Sequence, residues 1–378
     1  MRHQQTKRKM MKKSKNIIIS GGGTGGHVFP AISIANAIKE IVPEANILFV
    51  GALGKIEMEK VPAAGYQIIG LPVAGLQRKL TTKNISFIFK LTRSLKMSKN
   101  IIKEFEPDVV VGVGGYASGP VLYQANKMKI PTLIQEQNSY AGITNKILAK
   151  RAQKICVAYE GMEQYFPEKK ILLTGNPVRQ DLLDKIGNKT EALKHFDLDT
   201  DKKTILVIGG SLGARTINES VIKGINKIGR SDFQLLWQTG KHYFDEAKKV
   251  TDQSEYKNIK VLDFIKRMDF AYAAADIIIS RAGAGTISEL SLVGKPVILV
   301  PSPNVAEDHQ TKNALSLVNR KAAIMIKDDN AKERLINTAL ELIQNKILMN
   351  TVSKNIGGMA LRDSAKIIAQ EVLKLSKK

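Results

Sequence analysis

Residues 17–27 read IIISGGGTGGH and place a glycine-rich turn directly after a short apolar run. A helix-forming segment that starts at Pro30 follows the turn. Glycines adopt positive φ angles and let backbone N–H groups approach a ligand, and the N-terminus of a helix favours negative charge. This order of strand, glycine turn and helix predicts the start of a doubly wound α/β domain with a turn suited to an anionic ligand.

Two common nucleotide-binding motifs fit this turn poorly. Gly21, Gly23 and Gly26 meet the G-x-G-x-x-G spacing of a dinucleotide fold, but no acidic residue ends a second strand about twenty positions later. A Walker loop requires Gly-Lys-Ser/Thr, which does not follow here. The turn by itself therefore does not identify the ligand.

The same pattern of short apolar runs and longer amphipathic segments continues along the chain. Runs rich in Ile and Val that alternate with helical segments are typical of parallel sheets with crossover helices. The predicted strands are 16–20, 47–50, 66–69, 108–111, 132–134, 154–157, 204–208, 233–237, 259–262, 276–280, 296–300 and 322–326. The predicted fold class is α/β, with two doubly wound domains in series.

A break at 175–179, GNPVR, and the polar stretch behind it predict the domain boundary. We expect a basic flexible tail at 1–15, an N-terminal domain at 16–178, a C-terminal domain at 179–355 and a helix at 356–378. The sequence leaves open whether this last helix packs back on the N-terminal domain or on the C-terminal one. A chain of 378 residues is long enough for two such domains.

Composition excludes several classes of protein. The chain is 43% hydrophobic and 25% charged, so disorder, collagen-like repeats and coiled coil are excluded as the main architecture. Cys156 is the only cysteine, which excludes an intrachain disulfide and is typical of a reducing cytoplasm. The apolar run behind the basic start is too short for a signal peptide, and no stretch is long enough for a membrane-spanning helix.

The net charge of +23 predicts an anionic partner, and charge alone does not separate nucleic acid, an anionic membrane and phosphorylated ligands. Between Lys60 and Lys103 the chain has nine basic residues and no acidic one, interleaved with Leu, Ile and Phe. We interpret this segment as a peripheral membrane contact; an ordinary solvated helix is the alternative. Aromatic residues are only 6%, and no stacking or recognition-helix pattern accompanies the charge, which disfavours nucleic acid.

Three further glycine turns make a bound ligand a stronger prediction than the first turn alone does. GVGGYASGP at 112–120 and GGSLGAR at 209–215 each follow a predicted strand, and SRAGAGT at 280–286 precedes a helix with Glu289. Several such turns over two domains indicate a bound ligand, and a carboxylate at Glu289 could accept two ribose hydroxyls.

The ordered runs GGGTGGHVFPA, GVGGYASGP, QEQNSYAGITNK, GNPVR, GGSLGAR, SRAGAGTISEL and EDHQTKNA resemble the MurG family of peptidoglycan glycosyltransferases. The resemblance extends from about residue 16 to residue 313. It implies the GT-B fold, two Rossmann-like domains with an interdomain cleft. It also implies inverting transfer of N-acetylglucosamine from its UDP donor to undecaprenyl-pyrophosphoryl-N-acetylmuramyl pentapeptide (lipid I). A glycolipid synthase or a UDP-N-acetylglucosamine 2-epimerase of the same fold is the alternative.

The resemblance also implies roles for individual residues. The implied donor-binding residues are Thr24, Gly25, Gly26, Asn138, Arg179, Ser211, Ile265, Ala284, Gly285, Thr286, Glu289 and Gln310. Among them, Ser211 is expected at the diphosphate, Ile265 at the uracil and Glu289 at the ribose. His309 stands where some relatives have Gln.

Inverting chemistry requires a general base and positive charge for the leaving diphosphate. His27 is the preferred base and Glu136 the second candidate, and helix N-termini with Arg179 can stabilise the diphosphate without a metal or other cofactor. Tyr116 and Ser118 are expected to face the acceptor pyrophosphate. The predicted location is the cytoplasmic face of the inner membrane, and protein partners in wall synthesis remain open.

Overall fold

The computed structural model describes residues 14–73, 83–178, 187–210 and 212–377, without the side chains of 83–86 and 306. Within these ranges the chain forms two compact units. Unit 1 contains the residues up to Gln137, Ala141–Pro177 and the residues from Asp363 onward. Unit 2 contains Asn138–Tyr140 and Val178–Arg362. The chain thus enters unit 2 at the predicted GNPVR break and returns to unit 1 near its end.

Unit 1 is built on a parallel seven-stranded sheet in the order β3-β2-β1-β4-β5-β6-β7. The strands are β1 (Asn16–Ser20), β2 (Asn46–Ala52), β3 (Gln67–Leu71), β4 (Val109–Gly112), β5 (Thr132–Glu136), β6 (Lys154–Val157) and β7 (Ile171–Leu173). The β1 isoleucines are fully buried, because both faces of a parallel sheet are covered by helices. The β1 and β4 strands end side by side, so the glycine turns that follow them lie at the same edge.

The helices of unit 1 cover both faces of this sheet. They are α1 (Gly25–Ile41), α2 (Glu57–Ala63), α3 (Lys83–Phe105), α4 (Ser118–Lys127), α5 (Ile143–Ala149) and a C-terminal helix (Ser364–Leu375). Ile368 and Val372 of the C-terminal helix pack with Ile34 and Ile38 of α1 in one core cluster. The helix whose partner the sequence left open therefore packs on the N-terminal unit.

Unit 2 repeats the architecture with a parallel six-stranded sheet in the order β10-β9-β8-β11-β12-β13. The strands are β8 (Thr204–Ile208), β9 (Gln234–Gln238), β10 (Ile259–Leu262), β11 (Ile277–Ser280), β12 (Val297–Leu299) and β13 (Ile324–Met325). Trp237 lies fully buried in its core. The predicted α/β class with two Rossmann-like domains is confirmed.

The helices of unit 2 follow its strands in alternation. They are α6 (Lys189–His195), α7 (Arg215–Lys223), α8 (Ile225–Gly229), α9 (Phe244–Ser254), α10 (Met268–Ala274), α11 (Ala284–Val293), α12 (His309–Val318), α13 (Asp328–Gln344) and α14 (Lys346–Gly358), and the C-terminal helix of unit 1 is α15. Two of them, α7 and α11, begin directly behind glycine turns that end β8 and β11.

Three local expectations differ from the structure. Helix α1 begins at Gly25 and not at Pro30, because the glycine turn is short and Thr24 already occupies the N-cap position. Strand β7 was not predicted from the sequence, because its three residues are too few to give a recognisable periodicity. The predicted strand at 322–326 is reduced to Ile324–Met325, a short edge strand paired only with β12 among the described strands.

Cys156 lies buried on β6, packed in the sheet core. Burial raises the pKa of its thiol to about 12, so the group is protonated at neutral pH. Its environment is that of a small core side chain.

Candidate functional site

The first glycine turn of unit 1 is held by a buried carboxylate. Glu57 on α2 is 1% exposed, and its two oxygens lie 3.0 and 2.9 Å from the Gly23 nitrogen, which donates to them. The Ala52 N–H donates to the same carboxylate at 2.8 Å. The Gly23 N–H of this turn therefore already has a carboxylate acceptor within the protein. The sequence did not indicate this role for Glu57. No local pattern marks it, since its partner Gly23 is 34 residues away.

His27 lies in the first turn of α1, immediately after Thr24, Gly25 and Gly26. Its Nδ1 is 3.0 Å from the Oε1 of Gln137, which follows β5. The ring is partly exposed, whereas the Gln137 side chain is buried. The preferred base, His27, is thus hydrogen-bonded to the buried amide of Gln137. The sequence did not indicate this role for Gln137.

The second glycine turn of unit 1 packs against the His27 ring. Gly114 has a φ of +91°, and a Cβ there would lie 2.9 Å from His27 Cε1, so only glycine fits beside the ring. Tyr116, in the same turn, is exposed. Ser118 is buried and its hydroxyl donates to the Gly115 carbonyl at 2.9 Å. The two predicted acceptor residues therefore differ in accessibility.

Glu136 ends β5 and is buried. Its Oε2 accepts hydrogen bonds from the Gly142 N–H at 3.1 Å and from Asn145 Nδ2 at 2.8 Å. The carboxylate thereby connects the end of the strand to the start of α5.

Asn138 belongs to unit 2, where its Oδ1 accepts from Asn313 Nδ2 at 3.2 Å. Asn313 Oδ1 in turn accepts from the N–H of Ser139 at 2.9 Å and from its hydroxyl at 3.0 Å. Asn313, which belongs to the EDHQTKNA run, thus holds Asn138 and Ser139 by side-chain hydrogen bonds.

Unit 2 contains a cavity of about 780 Å³ at the carboxyl ends of its strands. It is lined by the predicted residues Ile265, Thr286, Glu289 and Gln310 together with Gly209, Gly210, Gly213 and Gly283 from the two turns. Ala284 and Gly285 form the adjoining first turn of α11. The structure therefore brings four of the predicted donor-binding residues to one cavity.

The N–H of Ile265 donates to Gln238 Oε1 at 2.9 Å, and Gln238 Nε2 donates to the Gly210 carbonyl at 3.1 Å. Gln238 thus fixes the Ile265 segment to the glycine turn after β8. With its N–H engaged, Ile265 can offer its carbonyl oxygen to a ligand. Gln238 is a further cavity residue that the sequence analysis did not identify.

Glu289 lies in the second turn of α11, with its carboxylate at the cavity wall. The hydroxyl of the buried Tyr272 donates to Glu289 Oε2 at 3.2 Å. This contact orients the carboxylate from the side of α10. Tyr272 was also not identified from the sequence, because its partner is 17 residues away on another helix.

Gln310 is oriented by two backbone amides. Its Oε1 accepts from the N–H of Ser302 at 2.9 Å and from that of Ala282 at 3.2 Å. The amide nitrogen is then the part of this side chain that can donate to a ligand. The neighbouring His309 has its Nε2 3.1 Å from Glu307 Oε2, so a carboxylate orients this ring.

Charged side chains at the cavity are partly neutralised within unit 2. Arg281 pairs with Asp328 and also donates to the carbonyls of Val300 and Pro301. Arg215, at the start of α7, is exposed at the cavity wall.

Arg179 and Ser211, both predicted donor-binding residues, lie outside the described residues. Over the described ranges, no group of three His, Cys, Asp or Glu side chains is placed to hold a metal ion.

Unit 1 carries an apolar surface on α3, α4 and α5. Leu91, Tyr116, Tyr123 and Ile147 line an apolar cavity of about 360 Å³. Ile88 and Phe89 on α3 and Ile143 on α5 are exposed beside it. Exposed basic side chains accompany them: Lys90, Arg93, Lys96, Lys99, Lys150 and Arg151. In the part of the chain that the structure describes, no helix is long and apolar enough to cross a bilayer.

Two domain families match the chain. Residues 17–157 match the glycosyltransferase family 28 N-terminal domain, and residues 204–368 match the glycosyltransferase family 28 C-terminal domain. Apart from residues 138–140, the first match lies in unit 1, and the second covers most of unit 2 and continues into α15.

Two curated relatives are similar over nearly the whole chain. A protein of Phocaeicola vulgatus is 60% identical over 369 residues, 97% of this chain and 98% of the relative. A protein of Bacteroides fragilis is 60% identical over 362 residues, 95% of each. Both carry the name UDP-N-acetylglucosamine--N-acetylmuramyl-(pentapeptide) pyrophosphoryl-undecaprenol N-acetylglucosamine transferase.

Solved structures show the same architecture. Acinetobacter baumannii MurG superposes with a TM-score of 0.79 at 26% identity, covering 95% of this chain and 99% of that one. The UDP-GlcNAc 2-epimerase of Neisseria meningitidis, bound to UDP-GlcNAc, reaches a TM-score of 0.64 at 15% identity, with 95% and 100% covered. The second similarity shows a shared fold alone.

Proposed function

The chain belongs to glycosyltransferase family 28, and we propose that it is the hexosyltransferase that completes the lipid-linked disaccharide of peptidoglycan. The reaction moves N-acetylglucosamine from UDP-N-acetylglucosamine to the 4-hydroxyl of the N-acetylmuramyl residue of lipid I, which gives lipid II. The observation that carries this proposal is the 60% identity over 97% of the chain to a relative of that name. The GT-B fold and the unit 2 cavity are consistent with it.

We assign the nucleotide sugar to the cavity of unit 2. The Ile265 carbonyl is the backbone acceptor for the uracil N3–H, and the Glu289 carboxylate, oriented by Tyr272, accepts the ribose hydroxyls. The Gln310 amide donates to a sugar hydroxyl. These three groups lie on different elements of one cavity, which supports recognition of the base, the ribose and the sugar in one binding mode.

The leaving UDP carries the charge that develops in the transition state. We propose that the N-terminus of α7, which begins behind the second-domain glycine turn, faces the diphosphate. Arg215 adds positive charge at the wall of the cavity. Ser211 and Arg179 are proposed to contribute on the basis of the resemblance. Preorganised donors of this kind stabilise a developing anion without moving during the reaction.

Transfer is proposed to proceed by direct displacement. The acceptor O–H bond breaks, and its proton goes to His27. The electron pair of the acceptor oxygen forms the new bond to the anomeric carbon. At the same time the bond between that carbon and the phosphate oxygen breaks, and its electrons stay on the oxygen of the leaving UDP. Glu136, the second candidate base, is buried and bonded to Gly142 and Asn145, which supports a role in holding the start of α5.

The test is a transfer assay with radiolabelled UDP-N-acetylglucosamine and a soluble lipid I analogue. Label should appear in a lipid-linked disaccharide, and free UDP should accumulate in equal amount. Incubation with the donor alone should give no N-acetylmannosamine. Release of that product without an acceptor would instead identify an epimerase.

We further propose peripheral binding to the cytoplasmic face of the inner membrane through the apolar surface of α3, α4 and α5. Exposed Ile and Phe side chains can enter the bilayer interface while the neighbouring lysines and arginines meet anionic headgroups. Tyr116, at the edge of this surface, is proposed to contact the acceptor, and Ser118 to contribute to the same loop. Flotation with vesicles that contain or lack anionic lipid tests the proposal; equal binding to both would reject it.

A further inference from the structure

A buried polar network lies behind His27 in unit 1. Gln135, Gln137 and Asn176 are 0%, 2% and 2% exposed, respectively. Gln135 Nε2 donates to Asn176 Oδ1 at 3.1 Å, and Asn176 Nδ2 donates to the Gln137 carbonyl at 3.0 Å. Buried amides bonded in this way have one orientation, because a rotated amide would leave a donor facing a donor or an acceptor facing an acceptor.

The orientation of the Gln137 side chain follows from its partners. Its Nε2 donates to the Val113 carbonyl at 2.8 Å and also to Gln135 Oε1. A carbonyl oxygen can only accept, so the amide nitrogen must face Val113. The Gln137 Oε1 then faces His27 Nδ1, 3.0 Å away.

This orientation determines the protonation of the imidazole ring. Gln137 Oε1 has no hydrogen to give, so the hydrogen in this bond must be on His27 Nδ1. In the neutral ring the lone pair is then on Nε2. Gly114 leaves the space that this contact needs, since a Cβ at that site would lie 3.0 Å from His27 Nδ1 and 3.6 Å from Gln137 Oε1.

We propose that Gln137 is a positioning residue that holds His27 in the Nδ1–H tautomer, so that Nε2 is the nitrogen that receives the acceptor proton. The proposal rests on the proposed function of His27 as the general base. Partners that fix a histidine tautomer in this manner are well known for metal-bound histidines, where their removal costs about 10- to 100-fold in activity.

The first test is a spectrum of the wild-type protein. Long-range 15N–1H correlation distinguishes the two neutral tautomers, and comparison with the His27→Ala protein identifies the signals of His27 among the five histidines. We expect Nδ1 to be protonated. An Nε2–H tautomer in the wild type overturns the proposal.

The second test compares Gln137→Leu with Gln124→Leu. Gln124 is also a buried glutamine of unit 1, and it donates to the Leu95 carbonyl at 3.1 Å on another helix. We expect Gln137→Leu to populate the Nε2–H tautomer and to lower kcat about 10- to 100-fold, with the KM for UDP-N-acetylglucosamine within twofold. The Gln124 variant should keep the wild-type tautomer and kcat.

The outcomes separate this inference from the proposed function. If Gln137→Leu keeps kcat within twofold of the wild type, or keeps the Nδ1–H tautomer, the positioning role is wrong although transfer itself stands. If the wild type forms no lipid-linked disaccharide, the proposed function is wrong, and the substrate-free tautomer measurement still tests the contact to Gln137.

Discussion

The glycine turns of the two units look alike in sequence and differ in their surroundings: one contacts a buried side chain, and the others line a cavity. In unit 1, the Gly23 N–H donates to the Glu57 carboxylate, so an internal anion satisfies it. In unit 2, glycines of the turns at 209–213 and 283–286 line a cavity of about 780 Å³. A strand, glycine turn and helix thus create an anion-binding geometry, and tertiary packing decides whether the anion is a side chain or a ligand.

This difference predicts that variants of the two units will affect different measured properties. Changes around the unit 1 turns should alter turnover or folding, whereas changes at the unit 2 cavity should alter donor affinity.

The largest effect is expected for His27→Ala. Loss of a general base lowers kcat by about 10²- to 10⁴-fold, because the acceptor hydroxyl then has to lose its proton to water. The Kd for UDP-N-acetylglucosamine, measured by calorimetry, should stay within threefold, since the contacts to the base, the ribose and the sugar hydroxyl are assigned to the cavity of unit 2. A kcat close to that of the wild type would remove His27 from the mechanism.

Glu57→Gln should lower the free energy of unfolding by about 1–3 kcal/mol, because a buried carboxylate that accepts from Gly23 and Ala52 is replaced by a group with two donors. Glu59→Gln on the same helix is the matched control. Glu59 is exposed and paired only with the neighbouring Lys60 among the described residues, and water screens exposed pairs of this kind, so its replacement should leave the free energy of unfolding nearly unchanged. Urea titration measures both; equal effects would show that Glu57 does not hold the turn.

Glu289→Ala should weaken the binding of UDP-N-acetylglucosamine by about tenfold, since a charged hydrogen bond contributes about 1.5–3 kcal/mol and part of it is replaced by water. Tyr272→Phe removes only the contact that orients the carboxylate and should have a smaller effect in the same direction. Calorimetry with UDP-N-acetylglucosamine and with free uracil separates ribose recognition from base recognition. If both variants leave the nucleotide affinity unchanged, the ribose is not held by Glu289.

The smallest effect is expected at the apolar surface. Ile88→Asp in unit 1 should reduce binding to anionic vesicles several-fold, since Ile88 is one of several exposed apolar side chains and its loss removes only part of the apolar area that can enter the interface. Ile347→Asp in unit 2 is the control, because Ile347 is the more exposed of the two, at 81% against 63%. Vesicle sedimentation provides the measurement. The same loss in both variants would place the membrane contact elsewhere.

Much of the fold was predictable because its signals are local. Buried parallel strands require runs of Ile and Val such as 17–19 and 277–279, and these runs marked the strand positions within one or two residues. Strand β7 was missed because it has only three residues, at the edge of its sheet, and so short a run does not mark a strand. In the candidate site, Ile265, Thr286, Glu289 and Gln310 came from the resemblance and share one cavity.

The supporting residues were not predictable, because their partners are distant in sequence. Glu57 meets Gly23 across 34 positions, and Gln137 meets His27 across 110. Neither residue type nor spacing marks such pairs.

By itself, the sequence determined the α/β class and the two-domain plan, since apolar runs and glycine turns are local consequences of strand burial and backbone freedom. The glycosyltransferase family followed from the resemblance of its ordered motifs. Only the tertiary structure decided which carboxylate satisfies the first turn, which amide orients His27 and which unit receives α15. The physical reason is that these contacts depend on the strand order of each sheet, which brings residues together from opposite ends of the chain.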